Sequence, residues 1–242
     1  DFRRVADADA HIGEAGTELV GGGGDPVAAR LQAQLHEFTA LIALGGELAA
    51  AAFHELDAHD GIGDRLAIGA DHFAFDDQAV SEQARAILED VPVQAFKVGF
   101  VGTPENLSAL AELMSDYPEL PVVSYMPNLS WWEEERIDLY LDAFRELVLP
   151  QTTVLVGNHS TLWRWLLPDW DKDVSPGPRD LAAAAAEVGV PYTLVTGIAL
   201  PEQFVDNALA SPETILCSGR VELFDATFTG AGDTLSAALA AL

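Results

Sequence analysis

Short runs of β-branched and aromatic residues alternate along the chain with longer segments of helical periodicity. The short runs predict four strands, at residues 94–101, 121–125, 152–156 and 192–195. The longer segments predict helices at residues 80–88, 104–116, 133–148, 161–167 and 178–188. Because strands that alternate with helices of this length form βαβ units, we expect an α/β fold whose central sheet is mainly parallel and covered on both faces.

The length of the chain favours one domain. With 242 residues, 49% of them hydrophobic, it can bury a substantial core, and we expect a single domain over residues 1–242. Residues 1–17 are acidic and weakly periodic, which predicts an irregular segment before a first strand near residues 18–20.

Two glycines open the last predicted helix, in the run Gly230-Ala231-Gly232-Asp233. Backbone N–H groups at a helix start have no partner within the helix, so a glycine-rich entry lets an anion approach them closely. A carboxylate beside such an anion-binding helix start suits one reaction, in which the carboxylate takes the proton of a hydroxyl that attacks a bound phosphoryl group. The alternative is an ordinary turn in which Asp233 complements the helix dipole.

A second glycine run, residues 21–24, is followed by Asp25 and by a predicted helix at residues 28–38. Glycines there allow close approach of a ligand, and Asp25 is placed either to accept a hydrogen bond from that ligand or to cap the helix. The residues alone leave both interpretations open.

Composition narrows the possible partners. The net charge of −27 repels nucleic acid and anionic membrane surfaces, and it indicates an acidic surface of the halophilic type. No run of 18 apolar residues and no charged-then-apolar leader is present, so we expect a soluble, cytoplasmic protein. Cys217 is the sole cysteine, which excludes an internal disulfide and a cysteine-based metal cage.

Two stretches hold the most specific motifs, residues 88–102, which include Ala95-Phe96-Lys97-Val98-Gly99, and residues 227–242. Looser motifs occur at Gly23-Gly24-Asp25-Pro26, at Leu31-Gln32-Ala33 and in residues 147–158. Together these motifs resemble the hydroxymethylpyrimidine/phosphomethylpyrimidine kinases of thiamin biosynthesis, in the ribokinase-like superfamily.

The resemblance implies a three-layer αβα ribokinase-like fold and an ATP-dependent kinase that phosphorylates hydroxymethylpyrimidine, its monophosphate, or both. It implies Mg²⁺ as a cofactor and a homodimer. The implied base is Asp233, with the backbone of Gly230, Ala231 and Gly232 as the anion cradle. The implied ligand contacts are Gly23, Asp25 and Gln32 for the substrate, Thr196 and Gly197 for the nucleotide, and Asn158 for a phosphate or the water shell of the metal.

The chain departs from the family pattern at several of these places. Thr161 stands where the family has a metal-associated Glu, and Thr196 stands where it has a Lys. Asp233 replaces the Cys of the pyrimidine kinases, as it does in pyridoxal kinases and ribokinases. Two alternatives therefore remain, a pyridoxal or sugar kinase of the same fold and a non-catalytic ligand-binding paralogue.

Overall fold

The computed structural model describes residues 76–130, 132–223 and 230–241. Its helices are α1 (Asp77–Asp90), α2 (Pro104–Ser115), α3 (Glu134–Ala143), α4 (His159–Leu166), α5 (Pro178–Glu187) and α6 (Ala231–Ala241). Its strands are β1 (Phe96–Val98), β2 (Val122–Met126), β3 (Val154–Asn158), β4 (Tyr192–Leu200), β5 (Phe204–Ala210) and β6 (Ile215–Glu222). The irregular segment, first strand and helix predicted before residue 76 lie outside the described residues.

The six strands form one sheet in the order β1-β2-β3-β4-β5-β6. Strands β1 to β4 pair in parallel, while β5 and β6 add antiparallel neighbours at one side. The α/β prediction is confirmed, and the sheet is mixed, with its parallel part first. The carboxyl ends of β1 to β4 meet at one edge, where ligands of such sheets bind.

Helices cover both faces of this sheet. On one face, buried residues of α2 to α5 pack together with Val98, Met126 and Leu155. On the other face, α6 contacts β1, β2 and β3, and its Leu239 packs with Val123 and Val156. The alternation of Val154, Leu155 and Val156 between the two clusters follows from the two-residue period of a strand.

The helices predicted within the described residues are confirmed, with ends that differ by a few residues. Helix α2 begins as its sequence indicates, because Thr103 caps it and Pro104 occupies its first position. The helix predicted over residues 133–148 is α3 followed by a π-helical turn at Phe144–Val148, and a 3₁₀ turn at Leu149–Gln151 leads on towards β3.

The strand predicted at residues 94–101 is too long, since β1 ends at Val98. Beyond it the backbone turns away, with a φ of +88° at Gly102. The polar groups of Val101 are taken by side chains, its N–H donating to the Tyr140 hydroxyl and its carbonyl accepting from Asn106 Nδ2. Side-chain partners therefore replace the neighbouring strand here.

Candidate active site

Helix α6 begins at a glycine with a left-handed backbone. Gly230 has a φ of +81°, and its carbonyl accepts from the backbone N–H of Thr234 at 2.9 Å and from the Thr234 hydroxyl at 3.0 Å. The N–H groups of Ala231, Gly232 and Asp233 belong to the first turn, where an α-helix offers them no internal acceptor. The predicted helix start, with Asp233 in its first turn, is confirmed.

Asp233 forms an ion pair with Lys97. The ammonium group of Lys97, in β1, contacts Oδ1 of the Asp233 carboxylate. The Asp233 side chain retains 45% of its exposure and the Lys97 side chain 25%, so a ligand can still reach the carboxylate. The other carboxylate oxygen, Oδ2, lies outside this ion pair.

Tyr125 of β2 packs under the first turn of α6. A Cβ on Gly232 would overlap the Tyr125 ring and hydroxyl, so the ring fits only because residue 232 has no side chain. Burial, and secondarily the negative charge of Asp233, raise the pKa of Tyr125. Burial raises the pKa of Tyr140 to about 12, and the Asp233 charge adds to this in the same direction. Both phenols therefore stay neutral donors at physiological pH.

The predicted nucleotide contacts also come together. Asn158 ends β3 and is the register partner of Thr196 in β4, where Gly197 follows with a φ of +67°. A Cβ on Gly197 would overlap Asn158 Nδ2, so this glycine makes room for the amide. These three residues lie at the carboxyl ends of β3 and β4. Lys97 is the last residue but one of β1, and its backbone lies opposite Val123, near the amino end of β2.

Several polar groups of this cluster already have protein partners. Asn158 caps α4, its Oδ1 accepting from the Ser160 N–H at 3.0 Å. The Gly197 N–H donates to Asn207 Oδ1 at 3.0 Å. His159 Nε2 donates to the Pro176 carbonyl at 2.7 Å, which gives that histidine a structural role.

The residues that the structure describes do not by themselves provide a direct magnesium site. Among residues 76–130, 132–223 and 230–241, no three His, Cys, Asp or Glu side chains converge on a point. Asp233 is engaged by Lys97, and Asn158 Oδ1 is engaged by the first turn of α4. Mg²⁺ commonly keeps several waters and is held largely by substrate phosphates, so any ion here would depend mostly on the nucleotide.

The predicted substrate contacts Gly23, Asp25 and Gln32 lie outside the described residues. A cavity of about 540 Å³ opens at the carboxyl end of β2 between α3 and α4, with Met126, Ile137 and Trp165 in its wall. Its lining includes neither Asp233 nor Lys97, and it lies on the face of the sheet opposite α6.

The sequence gives Lys97 a place in a family motif but indicates no role for it, because the partner that defines its role lies 136 positions away in the chain. One feature of the sequence does mark Lys97 as a candidate functional residue. It is one of only two lysines in a chain with a net charge of −27, and it lies in a strand.

The folds of known kinases resemble this one. Pyridoxal kinase from Bacillus subtilis, solved as an ADP complex, superposes with a TM-score of 0.58 at 23% identity, covering 69% of this chain and 64% of that one. Pyridoxal kinase from Staphylococcus aureus, in complex with AMP-PCP and pyridoxal, gives 0.53 at 16%, covering 68% and 61%. A putative phosphomethylpyrimidine kinase from Bacteroides thetaiotaomicron, crystallised with pyridoxal, gives 0.53 at 16%, covering 65% and 58%.

The chain thus spans less than two thirds of the length of each of these three proteins. No curated protein sequence is significantly similar to it. In the part of the chain that the structure describes, no helix is both long and apolar enough to span a bilayer. The sequence model of the phosphomethylpyrimidine kinase family matches residues 69–242, most of the chain, and the chain therefore belongs to that family.

Proposed function

We propose that this protein transfers the γ-phosphoryl group of ATP to the hydroxymethyl group of a small heteroaromatic alcohol. The leading alcohol is hydroxymethylpyrimidine. Its monophosphate is the leading acceptor of a second transfer, to an oxygen of the phosphate group, and both reactions would give the protein a role in thiamin biosynthesis. The observation that carries the proposal is the position of Asp233, whose half-exposed carboxylate lies beside the outward N–H groups of the first turn of α6. Membership of the phosphomethylpyrimidine kinase family supports it.

In the proposed reaction, Asp233 accepts the proton of the acceptor hydroxyl as the hydroxyl oxygen attacks the γ-phosphorus. The bond from the γ-phosphorus to the bridging β,γ-oxygen breaks, and ADP leaves with that electron pair. The N–H groups of Ala231, Gly232 and Asp233 donate to the equatorial oxygens of the transferring group, whose charge they stabilise. No atom of the described residues lies within 4 Å of the point where a Gly230 Cβ would be, so the described part of the chain leaves room beside these groups.

The nucleotide would lie along the carboxyl edge of β3 and β4. Asn158, Thr196 and Gly197 meet there and would contact its phosphates or the water around a bound Mg²⁺. A Mg²⁺ ion carried by the nucleotide would neutralise phosphate charge. The strongly negative net charge makes this local compensation important.

The test is the rate of ADP release with ATP and each candidate acceptor, for the unsubstituted protein and for Asp233→Asn. Removing a general base lowers kcat by roughly 10² to 10⁴, whereas the neutral isostere leaves the helix start in place, so nucleotide affinity should be retained. A kcat for Asp233→Asn close to that of the unsubstituted protein would refute the role of Asp233.

Pyridoxal is a second candidate acceptor. Two of the kinases described above that share this fold are pyridoxal kinases, which favours pyridoxal as the competing substrate. Parallel assays with hydroxymethylpyrimidine, its monophosphate, pyridoxal and ribose would separate these activities by their values of kcat/KM. Turnover of pyridoxal alone would replace the thiamin role with a vitamin B6 role.

A non-catalytic paralogue is distinguished by nucleotide binding. ATP present at 100 times its Kd stabilises a protein by about 2.7 kcal/mol, which a melting experiment detects readily. The paralogue would have lost its nucleotide-binding groups, so a melting temperature that Mg-ATP leaves unchanged would favour it. We further propose a homodimer that does not bind nucleic acid and acts in the cytoplasm, as the family resemblance and the charge suggest.

A further inference from the structure

Lys97 and Asp233 join the first described strand of the sheet to the last helix. Lys97 is the middle residue of β1, opposite Val123 of β2, and Asp233 is in the first turn of α6, which crosses β1, β2 and β3. The contact of the ammonium group with Oδ1 therefore fixes the start of α6 relative to the end of β1.

The space around this ion pair is restricted on two sides. A Cβ on Gly99 would lie 2.6 Å from both Asp233 Oδ1 and Lys97 Nζ, closer than such atoms can approach. On the side of β2, Tyr125 fills the space under Gly232. Position 99 thus has to be a glycine for the two charged groups to meet where they do.

The charge of Lys97 is unusual in its surroundings. The chain has 39 acidic residues and two lysines, and the other lysine, Lys172, lies between α4 and α5. Among the residues that the structure describes, the titratable groups beside Asp233 are Lys97 from β1, Tyr125 from β2 and Tyr140 from α3, and of these Lys97 is the cation. Because the cation holds one oxygen of the carboxylate in place, the orientation of the whole carboxylate is fixed, and with it the direction in which the second oxygen points.

We propose that Lys97 is a positioning residue for the phosphoryl transfer, a role that rests on the proposed function. Its ammonium group holds Oδ1 of Asp233, so that Oδ2 faces the acceptor hydroxyl in front of the N–H groups of α6. It also places a positive charge beside the reaction centre that offsets the anions gathered there. Catalysis depends on such alignment, since a displacement of about 1 Å can cost on the order of 10² in rate.

The first experiment separates kcat from KM for Lys97→Met, which keeps most of the aliphatic stem and removes the charge. We expect kcat to fall by about 10² with the KM for ATP little changed, because the charge acts on Asp233. Lys97→Arg should recover part of the loss, since it restores the charge, although a guanidinium fits the restricted space beside Gly99 imperfectly.

Lys172→Met is the matched control. Lys172 stacks over Trp170 at 4.0 Å and lies 3.9 Å from Asp180, and its side chain is 63% exposed. This substitution removes the same charge from the chain and should leave kcat unchanged. An unchanged kcat in Lys97→Met, or equal losses in both variants, would overturn the role of Lys97.

A second readout needs no turnover. Selective ¹³Cε labelling of lysine gives two signals, assigned by comparison with Lys172→Arg, because the chain has two lysines. Asp233→Asn should shift the Lys97 signal and leave the Lys172 signal in place. An unmoved Lys97 signal would overturn the ion pair in solution, whereas a shifted signal with no turnover of any acceptor by the unsubstituted protein would overturn the proposed function.

Discussion

At the scale of single residues, the two glycines of the α6 entry are needed for different reasons. Gly230 has a φ of +81°, and no atom of the described residues lies within 4 Å of the point where its Cβ would be. A Cβ on Gly232 would instead overlap Tyr125. One glycine is thus required by backbone conformation and the other by packing.

These reasons predict different responses to alanine. Gly232→Ala should destabilise the protein by roughly 1–3 kcal/mol through overpacking, and Tyr125→Ala in the same chain should relieve that added cost. Gly230→Ala should cost about 1–2 kcal/mol through its left-handed conformation, and Tyr125→Ala should not relieve it. Urea denaturation of the single and double variants measures both coupling energies.

Equal coupling of both glycines to Tyr125 would contradict this distinction. The Tyr125→Ala single variant is the reference in both double-mutant cycles, because removing the Tyr125 ring lowers the free energy of unfolding by itself through lost packing. A coupling near zero for Gly232 would mean that the start of α6 moves away from β2 to accommodate the methyl group.

The residues of the candidate site could be predicted from sequence where the chemistry is local. Asp233 and its glycines follow one another in the chain, so their pattern alone indicated a helix start with an acid in its first turn. The partnership of Lys97 with Asp233 and the packing of Tyr125 against Gly232 depend on the sheet bringing distant segments together. No local pattern contains that information.

At the scale of elements, the antiparallel strands β5 and β6 escaped prediction. Much of β5 is only partly buried, with Asp206 and Asn207 interrupting its apolar residues, so it lacks the apolar run that marks the buried strands β2 and β3. Asn207 has a tertiary role, since its side chain accepts the Gly197 N–H at the irregular point of β4. Polar residues that make such tertiary hydrogen bonds interrupt the run of apolar residues by which a buried strand is predicted from sequence.

Asp206 gives a pH-dependent prediction for this part of the sheet. Burial raises the pKa of Asp206 above its ordinary 3.8, although hydrogen bonds from Ser218, Asn207 and Gly219 act in the opposite direction. A carboxyl whose pKa is raised by folding favours the folded state below its unfolded-state pKa, and this advantage is lost as pH rises through the folded-state value. Asp206→Asn should therefore stabilise the protein at pH 7 and bring little gain below about pH 3.5.

The control for that prediction is Asp173→Asn, at an exposed position between α4 and α5. It removes one negative charge from the same chain without relieving a partly buried carboxylate. Melting temperatures of both variants across pH 3 to 8 separate the two effects. A gain for Asp206→Asn that is no larger than the gain for Asp173→Asn would assign the whole effect to net charge.

At the scale of the whole molecule, the dominant physical fact is the net charge of −27. Self-repulsion of this size opposes the compact state, and salt screens it with a Debye length that falls from about 10 Å at 0.1 M to about 3 Å at 1 M. We expect the melting temperature to rise as KCl increases from 0.05 to 1 M. If screening contributes about 2 kcal/mol, the rise is roughly 4–8 °C for a domain of this size.

Cys217 provides a direct measurement of this effect, because it is the chain's sole cysteine and is buried. Burial raises the pKa of its thiol to about 11, so the reactive thiolate is scarce in the folded protein and becomes common only on unfolding. Its rate of reaction with a thiol reagent at pH 8 and fixed temperature should therefore fall as KCl is added. A rate that is independent of salt would contradict the prediction.

The type of salt separates screening from other effects of ions. Screening depends on ionic strength, so KCl, NaCl and NaBr at equal concentration should slow the labelling of Cys217 equally. Sulfate strengthens burial in a second way, because it is excluded from protein surfaces, and it should add to the effect at matched ionic strength. If the three halide salts differ as much among themselves as sulfate differs from them, relief of charge repulsion is not the cause, and the acidic surface needs another explanation.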